Sequence, residues 1–480
     1  MHHPMFTKAA FATALLCAFA SQAQAGGFQL TEQSALSMGR AYAGAGVDGQ
    51  DISGIFYNPA SMTLDQGTRF QFGTIVADLD LAYESSKLEG YPGKNDNGRA
   101  ATTPIPFAYA AHQLNDTVQL GLAITAPFGL ETEFSDNWDQ SFRGISSELQ
   151  VVDINPSIAF KLSDKFSVGF GVSAQYANAK LKYNAARILS YQLAKKIADP
   201  QTKPQEKALL SQLQTLSKTD AAQNAAAADP VLDIHVKDWT WGWNVGMLWQ
   251  PVDTVRVGLS YRSSTAHKAK GTAKAGMLNN PDLQKILLSQ KDKIGALPPD
   301  LGINGDAVMD FLKTGSTNAS IAMDAPAWAM LSASWDINPT YTWSGMVRWS
   351  RWSTFKSLDL ELTDLNFKHQ QPTEWRDTWF VSTGLDAHIN DKLTVRGGIG
   401  YESGVIKNPV TRSGAIPDAD RVWLTAGASY KFTKNLKTDF SAAYVRGVGE
   451  RGIYDDKGAQ IGRFEKLDGI LLGAQVQYRF

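Results

Sequence analysis

The stretch GILLGAQVQYRF, Gly469–Phe480, indicates which kind of fold this chain adopts. Its even-numbered positions are apolar: Ile470, Leu472, Ala474, Val476, Tyr478 and Phe480. From residue 473 onward its odd-numbered positions are small or polar: Gly473, Gln475, Gln477 and Arg479. Successive residues of a β-strand point to opposite faces of the sheet. The stretch therefore predicts a strand with one apolar face and one polar face.

The same period of two recurs along most of the chain. The clearest further examples are residues 166–176, 239–247 and 255–262, with similar runs near 340–352, 378–389, 393–401, 422–432 and 436–445. A water-soluble sandwich of two sheets would also alternate, so the period alone leaves that alternative open.

The connections between the strands distinguish a water-soluble sandwich from a membrane barrel. Tight turns lie at residues 114–116, 163–165, 251–253, 337–339, 390–391 and 433–435. Between them lie long connections at 85–101, 129–147, 183–233, 270–317, 365–373, 405–420 and 451–466. Short turns that alternate with long loops are typical of membrane barrels, in which the short turns face the periplasm. The sequence predicts an all-β fold, a transmembrane antiparallel β-barrel of about 14 strands, an even number as such barrels require.

Composition and the start of the chain narrow the class of protein further. Residues 1–25 carry Lys8, an apolar run and Ala23-Gln24-Ala25, the pattern of a secretory signal peptide. Cys17, the only cysteine, lies in this segment, so the remainder offers no disulfide and no thiol nucleophile. The 46 Lys and Arg against 47 Asp and Glu give no reason to expect a nucleic-acid partner.

No residue pattern indicates catalysis, a metal or a cofactor. The histidines outside residues 1–25 are scattered without metal-ligand spacing at 112, 235, 267, 369 and 388. No serine or other nucleophile can be paired with a base from the sequence. We therefore expect a protein that is not an enzyme and that needs no cofactor.

Residues 26–66 do not alternate and are too few and too glycine-rich to form a domain with its own core. We predict that they fold inside the barrel of residues 67–480 as a plug. The motifs Gly27-Phe28-Gln29-Leu30, Gly39-Arg40-Ala41-Tyr42-Ala43-Gly44 and Asn58-Pro59-Ala60 closely resemble the hatch of the FadL/TodX family. That family consists of outer-membrane channels for long-chain fatty acids and other hydrophobic compounds. The resemblance implies a bacterial outer-membrane protein, surrounded by outer-membrane lipid and acting as a monomer.

The resemblance also implies roles for particular residues. Phe28, with Leu30 close by, corresponds to the part of the family's plug that reaches an internal ligand pocket. Asn58, Pro59 and Ala60 correspond to a turn beside an inward kink of the third strand, which opens a gap in the barrel wall. The third strand is expected near residues 117–130, and we place the kink at Gly121, since glycine weakens a strand. These residues form the predicted gate.

Two further groups of residues are candidates for ligand contacts. Arg256, Arg262, Arg348 and Arg396 face the lumen by strand parity, and one of them could pair with a fatty carboxylate. The alternative is that they neutralise inward acids such as Asp153, Asp386 and Asp439. In the long connections 183–233 and 270–317, apolar residues recur at helical spacing. Leu189, Leu193, Leu213 and Phe311 represent these helices, whose apolar faces either pack together or leave a groove where an amphipath lands.

The combined interpretation is passive uptake of long-chain fatty acids or similar hydrophobic molecules. The molecule is captured at the extracellular loops, moves to the internal pocket, and leaves sideways through the wall after the plug rearranges. Three alternatives remain open: the same fold importing aromatic hydrocarbons or alkanes, a porin for polar solutes, and an outer-membrane enzyme.

The last strand generates a test of assembly. A terminal aromatic residue after an alternating strand resembles the signal read by the barrel-assembly machinery of bacterial outer membranes. Deleting Phe480, or substituting Phe480→Asp, should lower the amount of heat-modifiable barrel in the outer membrane, measured by gel mobility of heated and unheated samples. Unchanged yield and mobility would contradict a barrel of this type.

Overall fold

The fold was derived from a computed structural model of the chain. It describes residues 27–86, 96–136, 138, 141, 144–184, 231–289, 305–412, 416–455 and 458–480, with isolated residues between 197 and 215. The predicted signal segment, residues 1–25, lies outside the described residues.

Twenty strands account for most of the described chain. They are β1 Thr68–Ser85, β2 Asp96–Gln113, β3 Val118–Glu133, β4 Ser146–Ser163, β5 Phe166–Asn184, β6 Val231–Val252, β7 Val255–Arg262, β8 Thr265–Ala275, β9 Ser316–Ala325, β10 Trp328–Asp336, β11 Tyr341–Ser350, β12 Ser357–Leu362, β13 Phe367–Pro372, β14 Thr378–His388, β15 Leu393–Glu402, β16 Asp420–Lys431, β17 Leu436–Val448, β18 Gly452–Tyr454, β19 Gln460–Phe464 and β20 Asp468–Arg479.

The described helices are short. The α-helices are α1 Ala35–Met38, α2 Gly54–Tyr57, α3 Pro281–Ser289 and α4 Gly305–Thr314. The 3-10 helices are Pro59–Leu64, Gly276–Asn279, Trp352–Thr354 and Pro409–Thr411. Within the described residues, no helix is both long enough and apolar enough to cross a membrane.

The strands form one closed antiparallel ring. Each position of the ring pairs with the next position along the chain, and β20 pairs with β1 from Arg69–Arg479 to Asp80–Asp468, which closes the ring. Six positions of the ring each contain two successive strands: β7 with β8, β9 with β10, β11 with β12, β13 with β14, β17 with β18, and β19 with β20. The predicted fold class, an all-β barrel of fourteen antiparallel strands, is confirmed.

The alternation read from the sequence becomes the two faces of the wall. On β20, Leu472 is 59% exposed on the outer face and Gln475 is buried in the lumen; Phe480, directly after the strand, is 71% exposed. On β6, Trp239, Trp241 and Trp243 are all exposed on the outer face. An apolar outer face with aromatic residues is what a bilayer requires, because its hydrocarbon core solvates no polar group.

Residues 27–66, the described part of the segment predicted to be the plug, are called the plug below. Most of them are buried. Their hydrogen bonds reach strands around the ring: Ala35 N–H to Gln475 on β20, Ile52 N–H to Gln71 on β1, Asn58 amide to Met247 on β6, and Gly44 N–H to Gly345 on β11.

Inward-facing glycines of the wall make room for the plug backbone. A Cβ added at Gly398 on β15 would overlap the backbone of Arg40, and one at Gly169 on β5 would overlap Pro59 and Ala60. Gly397, the neighbour of Gly398, faces outward and would meet only a backbone oxygen at ordinary contact distance. The absence of side chains at the inward positions therefore shapes the lumen to the plug.

This adjacent pair of glycines provides a matched test of how the plug is seated. Gly398→Val should weaken docking of the plug, because overpacking a closely packed site costs about 1–3 kcal/mol. Gly397→Val should leave docking unchanged. Hydrogen exchange of amides in residues 35–45, followed by mass spectrometry on heat-modifiable barrels, measures the effect. Equal protection in both variants would contradict this account of the lumen.

Candidate functional site

The regular pairing of the wall is interrupted at β3. The β3–β4 register shifts between Thr125 and Phe128, where β3 has one residue more than β4. On its other side β3 pairs with β2 as far as Ile124–Ala108 and again only at Glu133–Arg99. Such an extra residue is a β-bulge, which bends a strand and breaks its ladder locally. Along the described backbone, β2 and β3 thus have no register pair with each other between these two points.

The predicted position of the kink is wrong. Gly121 pairs regularly on both sides, with Ala111 of β2 and Ser157 of β4. Its missing side chain instead leaves space that Met62 and Ile55 of the plug occupy. The interruption lies at Ala126 and Pro127, because the additional residue, and not a weak residue, determines where the ladder breaks.

The exposed edge of β3 is paired by the start of the plug. The N–H of Leu30 donates to the C=O of Pro127 at 2.8 Å, and the N–H of Gly129 donates to the C=O of Phe28 at 2.9 Å. The side-chain amide of Gln33 bonds both backbone groups of Ala126, at 2.7 and 3.3 Å. Residues 28–33 therefore take the place that β2 vacates.

The facing edge of β2 contains two prolines. The N–H of Gln113 donates to Gly67 on the β1 side, so odd-numbered residues of β2 point their N–H groups toward β1. The register with β1 is unshifted from Thr103 to His112, so even-numbered residues point theirs toward β3. Pro104 and Pro106 are even-numbered and have no N–H. At these two positions β2 therefore has no N–H group that would need an acceptor across the interruption.

Phe28 lies in an aromatic cluster next to the interruption. Its ring centroid is 4.6 Å from Trp352, 5.5 Å from Phe355, 5.8 Å from Trp375 and 6.1 Å from Phe128. The indole N–H of Trp352 is buried and has no hydrogen-bond partner among the described residues. Leu30 is equally buried but packs in a separate cluster with Met38 and Tyr42 of the plug. The two residues predicted to line one pocket thus belong to different apolar environments.

The four candidate arginines are all paired with wall carboxylates. Arg262 lies 2.7 Å from Asp153, Arg256 2.7 Å from Asp336, Arg348 3.1 Å from Glu402, and Arg396 3.4 Å from Asp386 and 3.8 Å from Asp439. The predicted neutralisation of Asp153, Asp386 and Asp439 by lumen cations is therefore present. A buried charge needs such a partner, since removing one member leaves the other uncompensated.

All four arginines also hold the plug. Arg256 donates to the C=O of Asp48 at 2.9 Å, Arg262 to the C=O of Phe56 at 3.3 Å, Arg348 to the hydroxyl of Thr31 at 2.7 Å, and Arg396 to the side-chain oxygen of Gln50 at 3.5 Å. Arg40 of the plug forms an ion pair with Asp386 in the same way, at 2.9 Å. The arginines thus join the plug to the wall.

Asn58, Pro59 and Ala60 do not lie beside the β3 interruption. Asn58 caps the following 3-10 helix through Ala60 N–H at 3.1 Å and donates its amide to Met247 of β6 at 3.0 Å. Pro59 and Ala60 pack against Gly169 of β5. The predicted placement of this motif at the kink is therefore wrong, because residues 28–33 occupy that place.

The loop candidates are only partly described. Leu189, Leu193 and Leu213 lie outside the described residues. Phe311 belongs to α4, is half-buried and packs against a cluster that includes Leu278 and Ile321. Helix α3 precedes it in the same connection, so the described part of the predicted helical loop contains helices.

Sequence reasoning missed Gln33, Pro104, Pro106, Trp352 and Trp375. The prolines did carry a signal, because two prolines two residues apart in a strand indicate an edge that lacks a partner. The sequence carries no comparable signal for Gln33, whose role depends on which strand lies beside it.

Comparison with known proteins agrees with this architecture. The family described as outer membrane protein transport protein (OMPP1/FadL/TodX) matches residues 16–480. A long-chain fatty acid transport protein of Escherichia coli O6:H1 is 29% identical over 448 residues, 92% of each chain.

Solved structures share the fold. A FadL homologue of Pseudomonas aeruginosa superposes with a TM-score of 0.72 at 21% identity, over 95% of this chain and 100% of that one. The Pseudomonas putida toluene transporter TodX superposes with a TM-score of 0.64 at 16% identity, over 95% and 100%. Identities this low establish a common fold and no more. Because the family match spans nearly the whole chain, the protein is located in the bacterial outer membrane and belongs to the OMPP1/FadL/TodX family of outer membrane transport proteins.

Proposed function

We propose that the protein is a passive channel that takes up long-chain fatty acids or similar hydrophobic molecules across the outer membrane. The observation that carries this proposal is the position of residues 28–33. They place Phe28 in the aromatic cluster and at the same time pair with the β3 edge of the wall interruption. An apolar internal site and an opening toward lipid thus meet at one short segment.

Fatty acids are favoured over aromatic hydrocarbons as the cargo. Relatives named as long-chain fatty acid transport proteins are 26–29% identical over 92% of this chain. A carboxylate also has a donor at hand, because the buried indole N–H of Trp352 lacks an acceptor among the described residues. Import of aromatic hydrocarbons by the same route is the second candidate.

The proposed route begins outside the cell and ends in the membrane. The ligand is captured at the connections that contain α3 and α4, and then binds among Phe28, Trp352 and Trp375. It leaves between β2 and β3 into the hydrocarbon layer. Sideways exit is physically reasonable, because each CH₂ group kept out of water is worth about 0.8 kcal/mol. A polar-solute porin is disfavoured, since the plug occupies the lumen.

Exit requires a rearrangement of the plug, and Glu32 is placed to influence it. Glu32 is 1% exposed, and one of its carboxylate oxygens has no hydrogen-bond partner among the described residues. Burial raises the pKa of Glu32 from 4.5 to about 7. The rise in pKa is offset only in part by a hydrogen bond from the backbone N–H of Glu32 and by the positive charges of Arg348 and Arg421. The negative charge of Glu402 raises the pKa further. Its neighbour Gln33 holds the β3 edge, so protonation of Glu32 stabilises the segment that closes the opening.

Transport assays test the proposed function. Expression of the protein in a cell strain without its own transporter should support uptake of labelled oleate, with weaker uptake of toluene. The purified protein in a planar bilayer should show no conductance for polar solutes. Faster uptake of toluene than of oleate would favour the second candidate. Conductance of sugars without uptake of either hydrophobic compound would overturn the proposal.

Removing the bulge tests lateral exit. Between Thr125–Asp153 and Phe128–Val151, β3 has two residues and β4 has one, so deleting Ala126 restores a continuous register. The deletion should reduce oleate uptake to background while the purified protein still binds oleate. Ala126→Ser keeps the extra residue and should transport normally. Normal uptake by the deletion variant, at wild-type levels of folded barrel, would exclude exit at this place.

Glu32 predicts a pH dependence of plug docking. The pKa of Glu32 is raised in the docked state. The contribution of Glu32 to the stability of the docked plug is therefore complete below pH 4.5 and is lost as the pH rises through about 7. The full difference corresponds to about 3 kcal/mol. Amides of residues 28–33 should lose protection against hydrogen exchange between pH 5 and pH 8, after correction for intrinsic rates. Glu32→Gln should remove this dependence and Glu84→Gln, at an exposed site, should not; a wild type without pH dependence would contradict the assignment.

A further inference from the structure

A trench runs along the outer face of β2, directly below the wall interruption. Two rows of paired residues cross the strands β20, β1, β2 and β3 at this place. They are Tyr478–Phe70–Ala110–Leu122 and Val476–Phe72–Ala108–Ile124. In both rows the residue on β2 is alanine, whereas its neighbours on either side are large and apolar. The result is a groove of about 340 Å³ with an alanine floor, called the outer trench below.

The outer trench is continuous with the opening. Ala108–Ile124 is the last pair of β2 and β3 before the interruption, and the next residue on the same face of β2 is Pro106. Toward the other end, the next residue on that face is His112, whose Nδ1 lies 2.8 Å from the hydroxyl of Thr68. The tight turn to β3 follows at residues 114–117, and short turns of such barrels face the periplasm. The trench therefore leads from the opening toward the periplasmic leaflet and ends at polar groups.

We infer that the outer trench is an exit track, which receives the alkyl chain of the molecule leaving the opening and directs it into the periplasmic leaflet. This inference rests on the proposed function. Its chemical basis is that an alkyl chain leaving between β2 and β3 meets this apolar groove directly beside the opening. Phe70 and Phe72 wall one side, and Leu122 and Ile124 wall the other. The occupant is the transported molecule, and a bulk lipid chain is the competing occupant.

Filling the trench tests the inference. Ala108→Trp with Ala110→Trp should slow oleate delivery severalfold, while oleate binding to the purified protein stays unchanged. Ala110→Leu should have a smaller effect in the same direction and guards against failure of the double variant to fold. Ala333→Trp, which changes an outward-facing alanine of β10 across the barrel, is the matched control and should transport normally.

Photolabelling identifies the occupant. A diazirine fatty acid supplied outside intact cells that carry the protein in their outer membrane should label residues of the outer trench, and deletion of Ala126 should abolish that labelling. Labelling that is equal in the deletion variant, or equal to that of other outer-face residues, would identify a bulk lipid chain and overturn the inference. If wild type transports and the deletion variant does not, but the filled-trench variants deliver oleate normally, the exit track alone is rejected. If the wild-type protein does not transport oleate, the proposed function is rejected, and the exit track is rejected with it.

Discussion

Inside a bilayer a backbone N–H or C=O group has no water to bind, and this constraint determines how the whole chain is arranged. It explains why the strands close into a ring through the pairing of β20 with β1, which leaves no free edge. The same constraint explains how the backbone is arranged at the interruption of β3. There the plug supplies Phe28, Leu30 and Gln33 as substitute partners for β3, and β2 carries prolines where donors would face the gap.

The interface between plug and wall is built differently from an ordinary protein core. Glycines such as Gly398 let the backbones approach closely, and buried arginines bridge wall carboxylates and plug carbonyls. Burying an ion pair gains little over a well-packed apolar contact, although breaking one is costly. Such an interface specifies one docked arrangement of the plug. In the proposed mechanism, only the short segment 28–33 needs to move for the opening to be used.

The apolar regions of the protein are arranged along one path. The aromatic cluster around Phe28 is buried beside the interruption, and the apolar outer face begins on the other side of the same wall. Between them lie the edges of β2 and β3, where Ala126, Pro127 and Gly129 bond to the plug and Pro104 and Pro106 have no N–H group. A hydrophobic molecule following this path would remain out of water, which is the physical basis of the proposed sideways exit.

The sequence by itself determined the strands, their two faces, the turns and the number of ring positions, because a period of two is a local property of the chain. It also identified Asp153, Asp386 and Asp439 as lumen acids, since parity alone places them inside. Only the tertiary structure decided which arginine meets which acid, because those partners lie on different strands. The kink at Ala126 and Pro127, predicted at Gly121, was likewise decided by the count of residues between two paired strands. The motif Asn58-Pro59-Ala60, predicted to be a turn, begins a 3-10 helix, and its neighbours depend on how the plug docks, which no local pattern encodes.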